Sequence, residues 1–95
     1  MPAVTRKGDV CTGHSCFPSR PSVQGEPRFI VSGREAHLQS HAWASHCCGP
    51  PCHGSVLAAG SARFTVKGLQ LGRIGDPVAC GSAVATGEPR FTVAD

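Results

Sequence analysis

One heptapeptide is written three times in this chain with little change: Gly25-Glu26-Pro27-Arg28-Phe29-Ile30-Val31, Gly60-Ser61-Ala62-Arg63-Phe64-Thr65-Val66 and Gly87-Glu88-Pro89-Arg90-Phe91-Thr92-Val93. Near-copies of one segment in a chain of only 95 residues predict near-copies of one structural unit. Two copies run on to a glycine, at Gly33 and Gly68, and at the same distance beyond Phe29 and Phe64 stand the markers Ser40-His41 and Gly75-Asp76. An earlier Gly8-Asp9 completes the set, so marker and strand alternate three times. Within each strand, period-two alternation puts Phe and Val on one face and Arg with Ile or Thr on the other. The Phe and Val face is expected to be buried, and three equivalent strands from one chain approximate a three-fold arrangement suited to docking on a symmetric trimer.

A chain this short forms one domain, taken as residues 1–95, with a modest core. Twelve Gly and eight Pro, against four Phe, one Trp and no Tyr, point to short strands and tight turns rather than helices. Such a chain needs a covalent or metal staple, for which the six Cys and five His are the candidates. Residues 1–10 hold Lys and Asp but no apolar run of signal-peptide length, so synthesis in the cytoplasm with reduced thiols is expected. No segment has the length of a membrane-spanning helix, and a soluble protein is expected. Nine Lys and Arg give a net charge of +3 but cluster nowhere beyond Arg6-Lys7, which is weak support for nucleic-acid binding.

Each marker leads to a metal-binding side chain. Five residues beyond Asp9 stands His14, five beyond His41 stands His46, and four beyond Asp76 stands Cys80; His53 precedes the second repeated strand. Three imidazoles and one thiolate make a closed tetrahedral shell of the kind that holds structural zinc. A local cluster of His46, Cys47, Cys48, Cys52 and His53, joined by Cys11 and Cys16, would instead give a zinc-ribbon-like site or a pair of disulfides. Spacing alone does not choose between them. His37 and His41 lie off the repeated donor position and are read as surface or hydrogen-bonding histidines. Trp43 is read as the largest piece of the core, with an anchor on a binding surface as the other reading. The acids Asp9, Glu26, Glu35, Asp76, Glu88 and Asp95 form no pair with a nucleophile, so no catalytic residue is assigned and no enzyme is expected.

Arg6-Lys7-Gly8-Asp9 with His14, the strand Arg63-Phe64-Thr65-Val66 ending at Gly68, and Arg73-Ile74-Gly75-Asp76-Pro77-Val78-Ala79-Cys80-Gly81 together resemble the PAAR-repeat proteins of type VI secretion systems and contractile phage tails. The likeness spans essentially the whole chain. It implies an all-β fold, a small cone of short strands and turns in three pseudo-repeats stapled by one metal ion. It implies zinc, in preference to iron, near the apex on His14, His46, His53 and Cys80. The implied function is a structural tip, a monomer that caps and sharpens a trimeric β-helical spike, one cap per trimer, for piercing a target envelope. The implied partners are the spike and attached effectors, with transient membrane contact and no nucleic acid; the implied location is the tip of a secretion spike or phage tail, delivered outside the cell or into a target. The spike-binding base falls on Phe29, Val31, Phe64, Val66, Phe91 and Val93. A small cytosolic zinc module contacting nucleic acid is the alternative. The chain departs from the family pattern at Ser40-His41, where Gly-Asp belongs, which makes His41 a rival to His46; Cys11, Cys16, Cys47, Cys48 and Cys52 exceed what one metal needs.

Overall fold

A computed structural model describes residues 2–94, and among these the protein is all-β. The strands are β1 (Ala3–Val4), β2 (Glu26–Val31), β3 (Arg34–Ala36), β4 (Ala42–Cys47), β5 (Cys52–Val56), β6 (Ser61–Val66), β7 (Leu69–Leu71) and β8 (Glu88–Thr92). They form four antiparallel pairs, β2 with β3, β4 with β5, β6 with β7, and β8 with β1. No helix among the described residues is long and apolar enough to cross a membrane.

Three of these pairs carry the repeated heptapeptide. The links Ser32-Gly33 and Lys67-Gly68 have positive φ at both positions (47° and 84°, 55° and 82°), the geometry of a two-residue type I′ hairpin turn. In the third copy β8 has no following strand and pairs instead with β1, so the two ends of the chain complete one hairpin between them. All three pairs share an irregularity: Glu26 faces Ala36 but Ile30 already faces Glu35, and Ser61 faces Leu71 while Thr65 faces Gln70. Polar side chains cap the amides that this bulge frees from the ladder. Glu26 Oε2 accepts from Arg28 N–H (2.8 Å), Ser61 Oγ from Arg63 N–H (3.3 Å) and Glu88 Oε2 from Arg90 N–H (3.0 Å). The first residues of the Glu-Pro-Arg and Ser-Ala-Arg triplets thus play one part in all three copies.

The three units meet in a closed ring of backbone hydrogen bonds. Thr5 N–H donates to Gly72 O (3.0 Å), Gly72 N–H to His37 O (2.9 Å), and His37 N–H to Thr5 O (3.1 Å). A Cβ on Gly72 would stand 2.9 Å from His37 O and 2.7 Å from Leu57 Cδ2, so only glycine lets the strands approach this closely. Directly after each ring residue comes a marker turn. Asp9 N–H donates to Arg6 O (2.9 Å), His41 N–H to Leu38 O (3.0 Å), and Asp76 N–H to Arg73 O (3.0 Å). In return Asp9 Oδ2 accepts from Arg6 N–H (2.8 Å) and Asp76 Oδ2 from Arg73 N–H (2.7 Å). His41 does the same with its ring, Nδ1 accepting from Leu38 N–H at 3.1 Å. Ser40-His41 is therefore a working marker turn in which an imidazole lone pair replaces a carboxylate, and His41 is no rival to His46. Since Leu38 stands where the others have Arg, the Arg-Asp ion pair of the other two turns is replaced as a unit.

The ring separates two apolar layers. On one side Val4, Val31, Ala36, Leu38 and Leu71 form a core against which Phe29, Phe64, Val66, Phe91 and Val93 pack. The Phe and Val face is thus the inward one, while Arg28, Ile30, Arg63, Thr65, Arg90 and Thr92 are exposed. On the other side Cys11, Trp43, Leu57, Val78 and Val84 form a second core, and Trp43 is its largest member. The molecule is elongated, 37 × 24 × 22 Å, and the phenylalanines pack against the first of the two cores.

Of the two readings of His37, surface or hydrogen-bonding, the structure shows the second: the ring is fully buried between the layers, Nδ1–H donating to Gln24 O (2.8 Å) with no hydrogen-bond partner at Nε2. Burial lowers its pKa from 6.5 to about 4, so it folds as the neutral ring. The unfolded chain then binds the extra proton between these values, and stability is complete above pH 6.5 and falls as pH drops toward 4. We expect this one residue to remove roughly 2–3 kcal/mol across that interval. Comparing thermal melts of wild type and His37→Leu over the same interval checks it, the variant showing the shallower pH dependence. A second expectation concerns Ser40, whose φ of 74° stands where the other turns have Gly8 (95°) and Gly75 (92°). Ser40→Gly should raise stability by about 0.5–1 kcal/mol in a denaturant titration.

Candidate metal centre

Beyond each marker turn the chain leaves the second core in a loop and returns through Ser22, Leu57 or Val84. The return points are set by repeated backbone bonds. Gly8, Ser40 and Gly75 N–H donate to the carbonyls of Ser22, Leu57 and Val84 at 3.1, 2.8 and 2.9 Å, and Ser22, Leu57 and Val84 donate back to those of Asp9, His41 and Asp76. The loops differ in length. The first bears His14 on its outgoing arm, in a turn closed by His14 and Phe17 (N–H to O, 3.0 and 2.8 Å). The second is the β4–β5 hairpin, which bears His46 outgoing and His53 returning, directly opposite in register. The third is so short that Cys80 sits at its corner, where Gly81 N–H donates to Val78 O (3.0 Å). This explains the one-residue irregularity in donor spacing: a short loop has a single apical position to offer.

The four side chains converge. One donor atom from each of His14, His46, His53 and Cys80 lies within 4.8 Å of every other. His53 Nε2 is 2.8 Å from His46 Nε2 and 3.1 Å from His14 Nε2. Donors about 2.0–2.3 Å from a shared centre stand roughly 3.3–3.7 Å apart on a tetrahedron, so the spacing suits one small cation with slight opening. His46 Nδ1–H donates to Pro18 O (2.7 Å), which fixes the tautomer and leaves Nε2 as a lone pair aimed at the cluster. A single proton could satisfy one of these nitrogen contacts, whereas a cation satisfies all three lone pairs together.

Cys80 brings the negative charge. Burial opposes ionisation, but hydrogen bonds from the Ser82 backbone, the Arg20 guanidinium, the Ser82 hydroxyl and His53 outweigh it and lower the thiol pKa to about 5. The residues present therefore fit a divalent metal of borderline softness held by three imidazoles and a thiolate.

Cysteines frame the histidines covalently. Cys16 is joined to Cys48 and Cys47 to Cys52, so the expectation of reduced thiols holds only for Cys11 and Cys80. Every histidine of the cluster lies within two residues of a half-cystine. The Cys16–Cys48 link ties the His14 loop to the end of the His46 strand, and Cys47–Cys52 ties that strand to the one bearing His53. Cys11 is fully buried in the second core and takes no part in the cluster, which removes the zinc-ribbon arrangement. The proximity of Cys16, Cys47 and Cys52 to the three histidines was visible in the sequence as a hint of this framing; their pairing was not.

The sequence profile of the PAAR motif matches residues 12–86. The chain belongs to the PAAR motif family. This structural family is associated with the spike tips of type VI secretion and related contractile systems. No curated protein matches the chain significantly. The matched segment of this PAAR protein runs from the first apical loop to the return of the third and so contains all four candidate ligands.

Replacing His14, His46 or His53 by Ala, or Cys80 by Ser, should lower both metal content, read by elemental analysis, and melting temperature, because site and fold are coupled. Full occupancy in all four variants would rule out the assignment. The Cys16→Ser/Cys48→Ser double variant should keep the metal yet lose on the order of 3 kcal/mol, since this link spans 32 residues of the unfolded chain.

Proposed function

We propose that this PAAR protein is the structural tip of a contractile injection machine. It caps a trimeric β-helical spike with one copy per trimer, carries structural zinc at its apex, and is driven with the spike through a target envelope. The observation that carries this reading is the meeting of a three-fold base with a stapled point in one short chain. Phe29, Phe64 and Phe91, one from each repeat, pack against one another with ring centroids 5.7, 5.9 and 6.1 Å apart. They are only partly buried, and their cluster offers a three-fold apolar patch to a partner with true three-fold symmetry. Val66 and Val93 flank it half-buried, whereas Val31, at 3% exposure, is closed into the core and contributes support rather than contact.

Structural zinc suits the opposite end because metal binding in such small sites is folding free energy, about 10 kcal/mol or more. Four protein ligands also leave no position for an activated water, in keeping with a mechanical part rather than a catalyst. A nucleic-acid module would need free cations on one face. Here Arg6, Arg34, Lys67 and Arg73 are engaged with Asp9, Glu88, Glu26 and Asp76, and Arg20 is buried; Lys7, Arg28, Arg63 and Arg90 are exposed, but the last three stand one on each repeated strand, β2, β6 and β8, rather than in a run.

The test is to mix the chain with its cognate spike trimer and weigh the complex by light scattering. The expected mass is one cap per trimer, and Phe29→Ser/Phe64→Ser/Phe91→Ser should abolish docking while metal content stays intact. Three caps per trimer, or none, would refute the reading. Glu substitutions at Ile30, Thr65 and Thr92 form a separate arm, which reports whether the outward strand faces also touch the spike.

A further inference from the structure

Arg20 is buried to 5% exposure between the second core and the candidate metal centre. Its guanidinium reaches all three repeats. Nε–H donates to Ala44 O (2.7 Å) on β4, one terminal nitrogen donates to Cys11 Sγ (3.0 Å) and Ser82 Oγ (3.2 Å), and the other donates to Cys80 Sγ (3.4 Å). Its Cζ lies 5.6 Å from the centroid of the Trp43 ring. Among the described residues no carboxylate forms an ion pair with it. A buried guanidinium must satisfy its N–H groups within the protein, and these are spent on two sulfurs, a hydroxyl and a carbonyl.

We propose that Arg20 is the positioning residue of the metal centre: it fixes the sulfur of Cys80 in place for the metal and ties that ligand to the other two repeats. The inference rests on the three-histidine, one-thiolate reading of the site. Its logic comes from how differently the four ligands are held. The histidines are bracketed by the two disulfides, and His46 is further oriented by Pro18 O. Cys80 sits on the short third loop, which no disulfide reaches, so its restraint comes from hydrogen bonds. The planar fork of Arg donates to two sulfurs and a hydroxyl at once, which a lysine ammonium on a flexible stem does not reproduce. A hydrogen-bonded thiolate is also a weaker electron donor, so Arg20 sets how strongly sulfur donates to a bound metal.

Cobalt(II), which takes tetrahedral nitrogen and sulfur donors and colours through its bond to thiolate, is the probe. The full chain, wild type and variant, is stripped of metal with its disulfides intact, titrated with cobalt(II), and competed against a chromophoric chelator. Arg20→Met should move the cobalt–thiolate charge-transfer band to lower energy, because the sulfur freed of its hydrogen bond donates more strongly, and should still weaken cobalt binding by about 10- to 100-fold, because that sulfur is no longer held in place. Arg20→Lys should fall between Met and wild type, because it restores the charge but not the fork. A residue with a purely structural role would lower the melting temperature and leave band position and affinity unchanged. A folded Arg20→Met protein with an unmoved band and an affinity within about twofold of wild type therefore overturns the proposal. Should that variant not fold, Ser82→Ala removes one anchor of the guanidinium and one neighbour of Cys80. It should shift the band in the same direction, and an unmoved band there counts equally against Arg20. If wild type takes up no cobalt, the metal centre itself is refuted, an outcome distinct from Arg20 lacking the role.

Discussion

Three backbone hydrogen bonds among Thr5, His37 and Gly72 hold this protein together, because they are where the three units become one. Each unit alone is a short hairpin below the ring and a loop above it, and isolated two-stranded hairpins are marginal in water. Closing the ring brings three hairpin faces into one apolar layer and three apical loops into another. It also sets the phase of everything above it, since the marker turns follow in the next residues and the return points of the loops bond to them. The convergence of the four candidate donor atoms is thus decided by backbone registry away from the cluster itself.

Much of this was legible in the text of the chain, for a physical reason. Repetition of Arg-Phe-x-Val reveals repeated strands, and their alternation reveals which face is buried, because both properties are local. The one-donor-per-marker rule led to His14, His46 and Cys80, and His53 precedes the second strand as the returning arm of the second loop. What could not be read was partnership. His41 and Asp9 look unlike each other as letters, yet an imidazole lone pair and a carboxylate oxygen accept the same backbone amide. His37 read as either a surface or a hydrogen-bonding residue, and only the ring it forms with Thr5 and Gly72 decides that it is buried. Arg20 gave no signal, since its contacts lie on loops from all three repeats and no spacing rule links position 20 to 44 or 80.

The cluster region carries two disulfides and a set of side chains that could hold a metal, two kinds of staple with different strengths. Disulfides restrict the unfolded chain regardless of pH or chelation, while a metal centre adds a large free energy that depends on deprotonated ligands. The two divide the ligands between them, disulfides bracketing the histidines and hydrogen bonds holding the thiolate. Neither apolar layer is large, and the point of the molecule is correspondingly held by bonds rather than by burial.

The pairing of β8 with β1 means that the polypeptide runs once around an axis and returns to where it started. Topologically it is a circle of three hairpins with one turn left open, and the opening occupies the place that Ser32-Gly33 and Lys67-Gly68 fill in the other two. Nothing in the hydrogen-bond pattern distinguishes the open corner as a necessary one. A circularly permuted chain, joined across β8 and β1 by a type I′ turn and opened at Lys67-Gly68, would retain every ring bond, marker turn and ligand described above. The order in which the three units are written is therefore separable from the object they build.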